Sequence, residues 1–207
     1  MARVHFFERI VIDPPKERIY RRLGYRRKTT ILSEGERKMV DETIERGRDH
    51  LHLRGASLLM SVLSVDSSGI ELPGGVRFDS ARLASFLEGC EEVLLMGATG
   101  GGDIIEAIAR ETEERNLAGA VVLDAAASEM VDASLDWIAG YHNNLLRREG
   151  KSLMGRRYSA GYGDFDLLYQ KDIYELLEMH RLGVSITEQA ILVPEKSVTA
   201  ITGIVKR

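Results

Sequence analysis

The sequence holds one cysteine, Cys90, among 207 residues. A single thiol excludes an internal disulfide and any metal site built from several cysteines. It fits a reducing compartment, so a cytoplasmic protein is expected. No stretch approaches the roughly 20 apolar residues that a membrane-spanning helix needs. The start of the chain, from Met1 to Arg9, has no apolar run long enough for a signal peptide. Positive charge is not in excess either. Lys and Arg number 28 against 32 Asp and Glu, a net charge of −4, which argues against a nucleic-acid partner held by bulk electrostatics. The five histidines (His5, His50, His52, His142, His180) form no HExxH or other metal-ligand spacing. His142 falls on an apolar helical stripe and reads as a hydrogen-bonded core residue. Cys90 reads as a structural thiol.

What is present suffices for a core. Hydrophobic residues make up 44% and charged residues 29%, the balance of a soluble globular chain. No repeat or low-complexity linker divides it. We read residues 1–30 as an N-terminal lead-in and 31–207 as one α+β domain. Its sheet is expected to be mixed or mostly antiparallel and packed with helices, because helices and strands do not alternate strictly.

Local signals fill in this outline. Pro14-Pro15 stops any regular element. From Lys16 to Lys28 the chain carries seven Lys/Arg against one Glu. That run reads either as an amphipathic helix, with Ile19 and Leu23 inward and its end at Gly24, or as a face that docks a partner or an anion. Ser33 with Glu36 is a capping box opening a helix whose stripe is Met39, Val40, Ile44 and Leu51. Strand-like runs follow at 58–65 and 70–78. Asp79-Ser80 caps a short helix ending at Gly89. Val93 to Met96 is an apolar strand, and a helix is expected over 103–115. A long helix is expected over 128–148, with Val131, Leu135, Ile138, His142 and Leu145 on its buried side. Residues 150–166 read as irregular, and 169–181 as a helix capped by Gly183. A terminal strand pair, 186–193 and 197–205, breaks at Pro194.

Three features carry candidate chemistry. The run from Gly97 to Gly102 lies between a strand and a helix, where backbone N–H groups can cradle a phosphate. It lacks the Lys of a P-loop and the GxGxxG spacing, so a tight packing turn is the competing explanation. Glu129, Asp132 and Asp136 lie at i, i+3 and i+7, which puts three carboxylates on one helix face. Such a face is usually just wet, unless a cationic ligand or an arginine lies opposite. The third feature is the segment Gly155-Arg-Arg-Tyr-Ser-Ala-Gly-Tyr-Gly-Asp164. Gly161 and Gly163 allow close backbone approach. Arg157 offers a planar fork for a carboxylate. Tyr158 and Tyr162 offer flat faces for stacking. This is either a loop binding a small anionic, partly aromatic ligand or an ordered surface loop.

The stretch from Arg157 to Asp164 resembles the Arg-x-x-x-Gly-Tyr signature of the activation domain of cobalamin-dependent methionine synthase. Gly183-Val-Ser-Ile-Thr-Glu188 resembles that family's Gly-x-x-Leu-Thr-Glu stretch. The stretch from Pro194 to Gly203 resembles its Pro…Ser-Val-Ser-x-x-x-Gly stretch. The resemblance is strongest over 117–207. It implies that the domain binds S-adenosylmethionine (AdoMet) and presents its methyl group to a cobalamin carried by a partner, methionine synthase or another corrinoid protein. Flavodoxin or another low-potential donor would reduce inactive cob(II)alamin to cob(I)alamin, which takes the methyl. By the resemblance, Arg157 takes the ligand's carboxylate. The backbone around Ser159 and Gly161 reads adenine and ribose, and Tyr162 lies at the cofactor-facing end. Asp132 takes the amino group, with Glu129 as the other candidate. The sequence lacks the Asp-x-His-x-x-Gly signature of a corrin-binding domain, so an accessory component acting in trans is expected. The alternatives are a docking or chaperone module for a corrinoid methyltransferase, and an unrelated nucleotide-binding enzyme that uses Gly97 to Gly102.

Overall fold

A computed structural model describes residues 3–26 and 30–206. In chain order the elements are β1 (His5–Phe7), α1 (Lys16–Arg22), α2 (Glu34–Asp49), β2 (Arg54–Ser61), β3 (Ser64–Val65), β4 (Gly69–Leu72), β5 (Val76–Asp79) and α3 (Ala81–Phe86). Then come β6 (Glu92–Thr99), α4 (Asp103–Glu113), α5 (Leu117–Leu146), β7 (Lys151–Leu153), α6 (Gln170–Leu176), β8 (Ser185–Ile186), β9 (Leu192–Val193) and β10 (Ser197–Lys206). The main sheet runs β1-β2-β6-β10-β7, and every neighbouring pair in it is antiparallel. A meander of β3, β4 and β5 and a small hairpin of β8 and β9 flank it. The architecture is the α+β arrangement that the sequence predicts.

The unbroken apolar run of β6 is explained by burial on both faces. Val93 and Leu95 pack among Phe78, Phe165, Ile173, Leu177 and Met179 on one side. Leu94, Met96 and Ala98 pack on the other side against Met130, Val131, Leu135 and Ile138 of α5. With side chains alternating across the sheet, a central strand covered on both sides has no polar position to fill.

The long helix begins at Leu117, eleven residues before the expected start at Ser128. Asn116 caps it, its side chain accepting from Gly119 N at 3.2 Å. The small residues that obscured this first half are there for packing. Ala125 and Ala126 meet Ile19, Val40 and Ile44 of α1 and α2, and Ala127 meets Ile104 of α4. Alanine keeps helix propensity high and lets three helices approach one.

Several local expectations are corrected. Leu145 is 44% exposed and not on the buried stripe, and Met39 is exposed as well. Met39 lies at the margin of its helix's apolar arc, whereas Leu145 keeps the facing of Ile138 and sits in the last turn of α5, which ends at Leu146. The expected helix over 169–181 stops after Leu176, because Glu178 takes a left-handed conformation at φ +48° before a short 3₁₀ turn, Met179–Leu182. The expected strand over 186–193 is instead β8 and β9 folded on each other around a turn closed by Thr187 N donating to Ile191 O. Residues 150–166 are not wholly irregular, since they open with β7 on the sheet edge. Gly97, Ala98 and Thr99 belong to β6, and only Gly100 to Gly102 form the turn.

His142 is buried on α5, with Nε2 2.8 Å from Ser57 Oγ and Nδ1 without a partner among the described residues. Burial, reinforced by His5, lowers its pKa to about 4 from 6.5. The folded state therefore resists a proton that the unfolded chain accepts, so stability falls as pH drops from 6.5 through 4. From the size of the shift, the loss should be on the order of 3 kcal/mol. Urea unfolding across that range should show it, and His142→Gln should flatten the profile; an unchanged profile would contradict the assignment.

Candidate functional site

The site is built where α5 passes the sheet edge beyond β10. Helix α5 is buried against the sheet on one side and against α1, α2 and α4 on others. Glu129, Asp132 and Asp136 line a remaining face, as their spacing predicts. Arginines lie opposite them, from two separate parts of the chain.

Arg157 enters from the loop after β7. Residues 156–159 continue along β10 beyond the end of β7. Tyr158 and Ile201 exchange backbone hydrogen bonds of 2.8 Å, and Thr202 Oγ1 donates to Arg156 O at 2.7 Å. Alternation then sends the Tyr158 ring toward Phe86 and Phe165 and Arg157 toward α5. Its Nη2 donates to Asp132 Oδ1 at 2.6 Å and to Asp132 O at 3.3 Å, and its Nη1 pairs with Asp136 Oδ1. Arg18 enters from α1. Its Nε donates to Glu129 Oε2 at 2.8 Å, its Nη1 to Asp136 Oδ2 at 2.7 Å, and its Nη2 pairs with Asp132 Oδ2. One turn on, Arg22 Nη1 reaches Glu129 Oε1 at 3.3 Å. Partial burial opposes the charge of both central guanidiniums. Their carboxylate hydrogen bonds outweigh it and hold both pKa values above the ordinary arginine value.

The other expected site residues sit on the same loop. Ser159 Oγ donates to Thr199 O at 2.8 Å, tying the loop to β10. Gly161, at φ +89°, opens a turn closed by Gly161 N donating to Phe165 O at 2.7 Å. Tyr162 stands at that turn with 69% of its surface exposed. Asp164 anchors the loop from the far side. It accepts from Ser80 Oγ at 2.5 Å and from Arg82 N at 3.2 Å, beside the start of α3. The Ser80 hydrogen bond, helped by backbone N–H groups, holds its pKa below the usual carboxylate range.

Arg18 and Arg22 were not singled out as site residues by the sequence. The signal was there, in an i, i+4 pair of arginines on one helix and an i, i+3, i+7 set of carboxylates on another. What joins them is tertiary, since Ile19 must dock on α5 before Arg18 can face the stripe. The basic run therefore divides: Arg18 and Arg22 face α5, and Lys16 pairs with Asp41 and Glu45. Arg27 and Lys28 lie outside the described residues.

The glycine run makes a poorer phosphate cradle than its composition promised. A Cβ on Gly97 would run into Met179, so this glycine serves sheet packing. At the turn, Gly100 N donates to Lys196 O and Gly101 N to Thr99 Oγ1. A cavity of about 710 Å³ opens beside it, lined in part by His52, Arg54, Gly102 and Asp103. Asp103, paired with His52 at 3.0 Å, places a carboxylate on the first residue of α4, where a phosphate would otherwise sit.

No model of a known protein family matches the chain, and no curated protein matches it. Among solved structures, the crystal structure of the MetH reactivation domain bound to AdoHcy matches it with a TM-score of 0.67 and 15% sequence identity, covering 97% of this chain and 78% of that one. The chain has the fold of that reactivation domain. No helix of the described residues is long and apolar enough to cross a membrane.

The loop's turn depends on Gly163, at φ +63°. A Cβ there would lie 2.6 Å from Tyr158 Oη and 2.9 Å from Arg82 Cδ. Gly163→Ala should cost about 1–3 kcal/mol from left-handed strain and crowding. Gly155→Ala, with open space around it, should stay within about 0.5 kcal/mol. Thermal unfolding of the two variants checks this, and equal behaviour would contradict the account of the loop.

Proposed function

We propose that this protein is an AdoMet-binding reactivation component that acts in the cytoplasm on a cobalamin carried by a separate corrinoid protein, such as methionine synthase. The observation that carries the reading is the pairing of the Arg-x-x-x-Gly-Tyr loop with the α5 carboxylates through Arg157 and Asp132. The amino-acid end of AdoMet is a zwitterion. Arg157 and Asp132 present the same two charges in reverse, so the ligand's carboxylate and ammonium exchange for the internal pair without leaving a net charge. The donor set thus fits the ligand. The fold it shares with a domain crystallised with AdoHcy supports the same assignment.

In this reading Arg157 orients the ligand by a planar, two-pronged contact. Asp132 fixes the ammonium, with Glu129 one helical turn away. The backbone at Ser159 and Gly161, held by β10 and Phe165, reads adenine and ribose. Tyr162, exposed at the loop tip, aligns the reacting end toward the partner. AdoMet would supply the methyl group and leave as S-adenosylhomocysteine; the acceptor would be the partner's reduced corrinoid, its electron drawn from a low-potential donor such as flavodoxin. This chain contributes position and orientation.

Calorimetric titration tests the assignment. Arg157→Ala should weaken AdoMet binding by about 2–4 kcal/mol, because the loss strands a ligand charge. Wild-type affinity in the folded variant would remove Arg157 from the site. Tyr162→Ala should affect the two steps unequally. Mixed with AdoMet and a reduced corrinoid protein, it should form methylcobalamin more slowly, as read from the absorbance spectrum, while its AdoMet affinity stays near wild type. Loss of affinity without loss of transfer rate at saturation would reverse its role. If the folded wild type binds AdoMet but methylates no corrinoid protein, the docking-module reading takes over.

A further inference from the structure

We propose that Arg18 is a side-chain gate on this site, an internal cation that occupies the carboxylates of α5 and must swing aside before the ligand's ammonium can bind them. The inference rests on the AdoMet reading above and adds a control to it.

Asp132 gives Oδ1 to Arg157 and Oδ2 to Arg18, and Asp136 divides its oxygens the same way. Glu129 gives Oε2 to Arg18 and Oε1 to Arg22. Every oxygen of the three carboxylates already accepts from a guanidinium. Arg157, in turning to the ligand's carboxylate, frees on Asp132 only Oδ1; Oδ2 stays with Arg18, which an incoming ammonium must displace to take the whole carboxylate.

Arg18 is the guanidinium whose departure frees the most, one oxygen on each of the three carboxylates. Arg157 belongs to a loop fixed along β10 by Tyr158 and by Ser159. Arg22 touches only the outer oxygen of Glu129. Arg18 contacts all three carboxylates, yet its side chain remains about a third exposed. Helix α1 is held by Ile19, fully buried against Val40, Ile44 and α5. The Arg18 side chain can leave for solvent by rotamer changes while the α1 backbone stays in place.

Charge balance makes the gate selective. AdoMet carries two positive charges, ammonium and sulfonium, against one carboxylate, so its net charge equals that of the Arg18 side chain it displaces and the charge of the site is unchanged. A ligand with no ammonium cannot take the place of Arg18 on the carboxylates. While the gate is closed, apparent affinity falls by the fraction of open molecules.

The test compares wild type, Arg18→Gln and Arg18→Lys by calorimetry, using AdoMet and 5′-methylthioadenosine, which lacks the amino-acid end. Circular dichroism verifies the fold of each. A gate closed about 80–95% of the time predicts that Arg18→Gln binds AdoMet about 5–20-fold tighter. Arg18→Lys, a single-point cation without the fork, should fall between it and wild type. Affinity for 5′-methylthioadenosine should not change. If Arg18→Gln fails to fold, Arg18→Lys against wild type decides the matter in the same direction. A wild type that binds AdoMet while the folded variants bind it no better, or more weakly, overturns the gate alone. Equal tightening of both ligands overturns it too, by showing that Arg18 obstructs the site without competing for its charges. No AdoMet binding by any of the three proteins overturns the AdoMet reading itself, and the gate with it.

Discussion

The structure depends on the burial of one long helix. Helix α5 packs on the main sheet through Met130, Val131, Leu135 and Ile138, and on α1, α2 and α4 through its alanine-rich first half. Both contacts are apolar and extensive, the dominant favourable contribution to a fold of this kind. They fix the rotation of α5 about its axis. Once that rotation is fixed, the stripe of Glu129, Asp132 and Asp136 can face only the gap between α1 and the loop along β10. Arg18 and Arg157 then arrive from opposite sides because their own elements are anchored elsewhere, Arg18 through Ile19 and Arg157 through the backbone pairing of Tyr158.

A partly buried cluster of three carboxylates and three guanidiniums is not a stabilising device by default. Desolvation takes back much of the attraction, and exposed pairs contribute little. Such a cluster is better suited to exchange, since its charges are already matched and a zwitterionic ligand can substitute for internal partners at small net cost. This connects the architecture to the proposed chemistry. The rigid part is apolar and remote, and the polar part is held at the sheet edge by backbone contacts, with Tyr162 standing out beyond it.

Much of this was legible in the sequence, for identifiable reasons. The capping box at Ser33 and Glu36 is local, and it forms as read. The β6 strand and the buried side of α5 follow from simple periodicity. The carboxylate stripe follows from helical spacing, and the Arg157 loop from its composition. What failed did so where tertiary packing overrode local pattern. The small residues of 117–127 gave no stripe because they are buried on several sides, and Gly97 passed for a loop residue although its missing side chain makes room for Met179. The role of Arg18 could not be read locally at all. It depends on two helices more than a hundred residues apart in sequence meeting face to face.

The central claim is that a zwitterionic adenosyl ligand binds between α5 and the loop 157–162. The most direct measurement is a crystal structure of the protein grown with saturating AdoMet. The account predicts ligand density with its carboxylate on Arg157, its ammonium on Asp132 or Glu129, and its adenine along the backbone from Ser159 to Gly161. Density at the turn from Gly100 to Asp103 with the α5 carboxylates still closed on Arg18 and Arg157, or no ligand at either place, would contradict it.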